Sequence, residues 1–150
     1  MNYLSILEYR LNDETKNYPA IYQYMDLNKT EIYCRRRCDY FIKEGIIYRK
    51  TSSLMEDNRF VIYVEEDTEE ELFYHAPIYK QITLEIRFQH EEDSPLLYTY
   101  DLNSHEEAFD FIGNEFLQIG RNEYEVTAAE IDEDRSTYVL YVKETEYKFE

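Results

Sequence analysis

The stretch Ser104–Gly120, SHEEAFDFIGNEFLQIG, decides how the rest of the chain is read. Ser104 followed three residues later by Glu107 is a capping box, in which a hydroxyl and a carboxylate satisfy the free amides of a helix start. His105, Ala108, Phe109, Ile112, Phe116 and Ile119 recur at helical spacing and make one apolar side. Gly120 supplies a left-handed stop. The spacing predicts a helix over 104–119, and such a helix needs an apolar sheet to lie on.

Both flanks offer one. Upstream, within Ile78–His90, Ile82, Leu84, Ile86 and Phe88 alternate with Thr83, Glu85, Arg87 and Gln89. A period of two gives one buried and one wet face. Glu91–Pro95 turns the chain, and Leu96, Tyr98, Tyr100 and Leu102 alternate again, which predicts an antiparallel hairpin. Ile82, Leu84, Ile86 and Phe88 are expected to lie under Ala108, Ile112 and Phe116. Downstream, Tyr124–Ile131 and Thr137–Tyr147 form a second hairpin about Asp132–Ser136. Its first strand puts Tyr124, Val126 and Ala128 on one face. Val139, Tyr141 and Tyr147 share a face of the second. Phe60–Glu65 reads as a further strand.

The first fifty residues are more ambiguous. Residues 2–11 suit helix or strand, and so does Pro19–Met25. Thr30–Gly45 can be a helix capped by Thr30 and ended by Gly45. It can also be a hairpin in which Lys43-Glu44-Gly45 joins Asp39–Ile42 to Ile46–Lys50, and the β-branched and aromatic residues around that turn favour the hairpin. No internal repeat and no domain boundary is evident. The chain reads as one α+β domain of 150 residues, a mainly antiparallel sheet of five to seven strands packed on one face by the helix near 104–119.

Charge is the strongest compositional signal. The formal net charge is −17. Residues 1–50 hold nine Lys or Arg against seven Asp or Glu, so the excess of acid lies in the last hundred residues. Such a surface repels phosphate backbones and anionic lipids, which argues against nucleic-acid and membrane binding. The start MNYLSILEYR lacks a basic-then-apolar leader, and no apolar run reaches the length needed to span a bilayer. The expected location is the cytoplasm. The 17 Tyr, with no Trp, suit strands whose rings pack while the hydroxyls reach water.

Three groups of residues are candidates for function. Glu65, Glu66, Asp67, Glu69, Glu70 and Glu71 put six carboxylates into seven residues, with Thr68 and Glu71 able to cap a short helix through His75. Their spacing lacks the pattern of a calcium loop, so contact with a basic partner is the functional reading. Arg35, Arg36, Arg37, Arg49 and Lys50 form the basic cluster with Lys43. Converging, they would hold a phosphate or carboxylate through bidentate guanidinium forks; the competing reading pairs them with the chain's own acids. Cys34 and Cys38 flank the three arginines. C-x₃-C without matching histidines is a poor zinc pattern, and buried reduced thiols are the default, although nearby arginines would favour thiolate. His75, His90 and His105 are isolated, and His105 reads as a structural side chain of the helix.

No nucleophile elbow, phosphate loop, dinucleotide fingerprint or zinc-protease motif is present, and nothing implies a cofactor or a metal. The leading expectation is a non-enzymatic protein-binding module whose acidic surface engages a basic protein. An inhibitor, an immunity-type protein and a charge mimic all fit. The alternative is a small-molecule or nucleotide-binding protein, with or without an activity, that uses the basic cluster at 35–50.

Overall fold

The computed structural model describes residues 5–70, 72, 76–89 and 93–150. Expectations that involve Tyr3, Leu4, Glu71, His75, His90 and Glu91 fall outside the described residues.

The elements run β1 (Ser5–Leu11), β2 (Ala20–Leu27), α1 (Lys29–Arg37), β3 (Tyr40–Lys43), β4 (Ile46–Glu56), β5 (Arg59–Glu66), β6 (Thr83–Phe88), β7 (Leu96–Asp101), α2 (His105–Phe111), β8 (Phe116–Ile119), β9 (Asn122–Asp132) and β10 (Thr137–Lys148). The ten strands form one mixed sheet in the order β2-β1-β5-β4-β3-β9-β10-β6-β7, with β8 on β9. Pairing is mainly antiparallel; β1–β5, β10–β6 and β3–β9 are parallel. The protein is therefore α+β and dominated by sheet, with more strands than the five to seven expected.

The organising helix is shorter than its spacing predicts. It covers His105–Phe111, and Phe116–Ile119 is strand. Ser104 Oγ accepts from the Glu107 amide, while the Glu107 carboxylate reaches back to the Asn103 amide. The stop is Gly113 at φ +97, where the Asn114 side chain takes up the carbonyls of Asp110 and Phe111. Gly120 turns the β8–β9 hairpin instead. Thr30–Gly45 contains both of its readings in succession. Asn28 caps α1 through the Thr30 amide, and the hairpin β3–β4 turns at Glu44-Gly45.

The absence of a repeat in the sequence is overturned by the topology. β1-β2-α1-β3-β4-β5 and β6-β7-α2-β8-β9-β10 are the same ββαβββ unit with the same pairings. β1 lies parallel to β5 with Leu7 beside Phe60, and β6 lies parallel to β10 with Leu84 beside Tyr138. Those registers align LEYRL (7–11) with LEIRF (84–88), and FVIYVEE (60–66) with YVLYVKE (138–144). Two irregularities recur at matching places, Tyr9/Arg10 with Ile86/Arg87 and Lys50/Ser52 with Val126/Ala128. The second one turns Ala129 and Ile131, rather than Ala128, to the side of Tyr124 and Val126.

Both helices lie on one face of the sheet. Ile32 and Cys34 of α1, and Ala108 with the following Ile112, share a core with Leu7, Tyr9, Phe41, Ile62, Leu84 and Leu140. Ile86 belongs to a smaller cluster with Tyr124 and Val142. The other face carries two matching ion networks. Glu8 bonds Arg10 and Arg59 at 2.8 Å, with Arg10 also on Glu56. Glu85 bonds Arg87 at 2.8 Å and Arg135 at 2.9 Å, with Arg135 also on Asp132. In the second network Tyr79 donates to Glu85, and Arg135 reaches the Pro77 carbonyl. Burial alone would raise the Glu85 carboxyl, but the bonds from Arg135, Arg87 and Tyr79 outweigh it and hold it at about 2.

Ile112 is 2% exposed in the shared core, whereas Phe116 is 51% exposed. Ile112→Ala should cost about 2–5 kcal/mol. Phe116→Ala should stay within about 0.5 kcal/mol of the parent. Urea denaturation of the two variants checks this; equal costs would contradict the shortened helix.

Candidate functional site

The basic cluster divides: Arg35 and Lys43 both meet Glu133, whereas Arg36 and Arg37 share an open groove. α1 turns Arg35 inward and leaves Arg36 and Arg37 on the outside. Arg35 is buried and reaches Glu31 at 3.0 Å, Glu133 at 3.3 Å and the Tyr9 hydroxyl, with its guanidinium 4.8 Å from the Tyr24 ring centre. It is a core cation serving the internal pairing reading. Arg49 pairs with Glu65 at 2.8 Å on the surface. Lys50 donates to the carbonyl of Arg36. Arg36 and Arg37 remain. Arg36 lies over Phe60 and Arg37 over Phe109, at 5.5 and 4.2 Å, and neither makes an ion pair among the described residues. With Tyr33, Phe109 and Ser53 they line an open groove of about 430 Å³.

A second arrangement lies where α1 meets α2. His105 Nε2 is 3.0 Å from Glu31, and Nδ1 is 2.7 Å from the Tyr138 hydroxyl. Cys34 Sγ donates to the His105 carbonyl. Both ring nitrogens are thus occupied, which fits a histidine that braces one half against the other. Burial would raise Glu31, but the bond from His105 and the Arg35 charge outweigh it and lower its pKa. Burial pushes the Cys34 thiol up to about 11, and burial with the Cys34 neighbour pushes Cys38 up as well. Both cysteines are free and buried, as the default reading has it, and desolvation outweighs the pull of the arginines toward thiolate. Sequence reasoning placed His105 on the helix but had no signal for Glu31, which is distant in the chain.

The acidic stretch is divided by the end of β5. Glu65 is taken by Arg49 and by Asn12. Asp67 folds the turn, accepting from the amides of Glu69 and Glu70. Glu66, Glu69 and Glu70 are exposed. Glu66, Asp67 and Glu70 rim a shallow hollow of about 360 Å³ whose floor is Ile46, Ile47 and Leu72. Glu71, the last of the six, lies outside the described residues.

One buried acid near this hollow was missed by the sequence reading. Glu130, on β9 and 4% exposed, accepts only from the Tyr141 hydroxyl among the bonds described. Burial, reinforced by Asp132 and more weakly by Glu70, raises it to about 8. Its alternation, AAEID after a bulge, gives no hint that the strand is covered on that side.

The chain matches no known protein family, no curated protein and no solved structure. Among the described residues no group of His, Cys, Asp or Glu is arranged to hold a metal ion. No described helix is long and apolar enough to cross a membrane.

Two measurements follow from these environments. An unfolded chain ionises Glu130 near pH 4.5, whereas the folded one holds the proton to about pH 8. Stability attributable to this residue is therefore present below pH 4.5 and lost as pH rises through 8. Glu130→Gln should gain on the parent by about 1.4 kcal/mol per pH unit at most across that window. Melts from pH 4 to 9 should show the gap widening and then levelling; a constant gap contradicts the assignment. The buried thiols of Cys34 and Cys38 should resist a water-soluble disulfide reagent at pH 8 until the protein is unfolded. Labelling of native protein at the rate of a free thiol would show them to be accessible.

Proposed function

We propose that this protein is a non-enzymatic binding module whose acidic surface engages a basic protein partner, in the manner of an inhibitor, an immunity-type protein or a charge mimic. The observation that carries this reading is the hollow beside β5. Its apolar floor of Ile46, Ile47 and Leu72 suits the aliphatic stem of a lysine or arginine, and its rim of Glu66, Asp67 and Glu70 suits the charged head. The net charge of −17 would steer a basic partner toward such a surface.

The nucleotide or small-molecule reading draws less support. It needs several cations at one mouth, and Arg35, Arg49 and Lys50 already have partners inside the protein. Of that cluster, only Arg36 and Arg37 are without an ion pair among the described residues, and their groove is open.

The test reverses the exposed acids. Partners captured from native lysate by the parent should be basic, should elute with salt, and should be lost to a Glu66→Lys, Glu69→Lys, Glu70→Lys bait of unchanged melting temperature. The association rate of an isolated partner should fall as salt rises. An acidic partner, or capture indifferent to the triple reversal, would overturn the acidic-surface reading.

A further inference from the structure

The two ββαβββ halves are equivalent in topology but not in how their edges are used. In each half the long strand, β4 or β9, is paired along one side by its neighbour β5 or β10. On the other side a short strand covers only the first part: β3 on Ile46–Arg49, and β8 on Asn122–Glu125. The remainder of β9 is taken by β3, which runs parallel to Glu130–Asp132. The equivalent remainder of β4, Ser52–Glu56, pairs only with β5 among the described residues. β8, the counterpart of β3, pairs only with β9 among the described residues. One half is closed by a strand, and the other keeps an open edge.

Beyond the bulge at Lys50/Ser52 that opens it, most of this edge is undefended. Thr51, Ser52, Ser53, Leu54 and Met55 are all exposed and uncharged, with no proline, and the one charge of the edge, Glu56 at its end, is held by Arg10 and Arg59. Leu54 is 44% and Met55 56% exposed. The closed half shows what such an edge accepts. Asp39, leading β3, donates its amide to the Ala129 carbonyl at 2.7 Å, and its carboxylate accepts from the Ala129 amide at 2.9 Å. Tyr40, Phe41 and Ile42 then continue the ladder. Through the shared bulge Ser53 is the counterpart of Ala129, so its amide and carbonyl are turned to the open side. Ser53 also lines the groove that holds Arg36 and Arg37, neither of which makes an ion pair among the described residues.

We infer that the edge Ser52–Glu56 is a docking site for an extended segment of a partner protein, laid parallel to β4 and led by an acidic residue followed by aromatic or aliphatic ones. Its main chain continues the sheet, as in strand addition. Its leading carboxylate meets the Ser53 amide with Arg36 and Arg37 beside it, and charge-assisted bonds of that kind exceed neutral ones in strength. Its next inward side chain faces Tyr33 and Phe109. The surface is separate from the acidic hollow, so the inference does not rest on the reading proposed above.

A synthetic peptide with the sequence of Asp39–Lys43 is the probe, since that strand already fits the equivalent edge. Titrated into the full chain, it should shift the amide resonances of Ser52–Glu56, Tyr33 and Arg36. Ser53→Pro removes an outward amide without touching the β5 ladder and should abolish binding. Arg36→Glu with Arg37→Glu, or a lysine in place of the peptide's aspartate, should weaken it about tenfold or more. Should the proline variant melt early, an N-methyl group on the peptide's aspartate serves the same purpose from the other side and should also abolish binding. Absence of binding, shifts confined to Ala129–Asp132, or affinity unchanged by Ser53→Pro would overturn the inference. So would a dimer of the parent, seen by sedimentation and broken by Ser53→Pro, because a second copy would then be the occupant.

Discussion

The short parallel ladder between β3 and β9, begun by Asp39 on Ala129, is the contact on which the rest of the sheet depends. It is the only strand pairing described between the two halves. Without it the chain would hold two five-stranded sheets, each with one helix and a thin core. With it, Leu7 and Leu84, Phe41 and Leu140, Ile32 and Ala108 share one interior. The brace of Glu31, His105 and Tyr138 secures the same junction from the helix side, so that sheet and helices are joined across one seam.

The face away from the helices shows how so acidic a chain keeps a covered sheet. Glu8 and Glu85 sit at matching positions on β1 and β6 and are each held by two arginines. A buried carboxylate without such partners is pushed toward its neutral form, as burial and the neighbouring Asp132 do to Glu130. The two networks differ in exposure because the chain around Pro77 and Tyr79 crosses the second one. Breaking one partner there would strand a buried charge, which costs more than the pair contributes.

Much of this was legible in the sequence. The alternation at 82–88 and 96–102, the hairpin at 124–147 and the start of α2 all follow from local rules. The end of α2 did not, because Phe116 and Ile119 continue a helical spacing by coincidence while serving a strand, and Gly113-Asn114 was the better stop. For Thr30–Gly45 the β-branched and aromatic residues favour the hairpin, which accounts only for the part after Cys38, because helix and hairpin signals meet at Cys38-Asp39. The repeat had a signal, LEYRL with LEIRF and FVIYVEE with YVLYVKE, but short strand motifs carry weight only once a register aligns them. For the sites, local sequence could show that Arg35, Arg36 and Arg37 are adjacent. It could not show that helical rotation sends the first inward and leaves the others outside, nor that Glu66 and Glu70 would meet Ile46 and Ile47.

The repeated unit has a consequence for what the molecule is free to become. Two identical subunits related by a two-fold axis must accept every substitution twice, once on each side. Joined in tandem, the same units meet at the high effective concentration a linker provides and no longer need a second chain. Each side can then drift alone. The arginine at position 37 faces glycine at the matching position 113, whose φ of +97 suits a residue without a Cβ and leaves the guanidinium its room. Asymmetry of that kind is open to a fused pair and closed to a symmetric one.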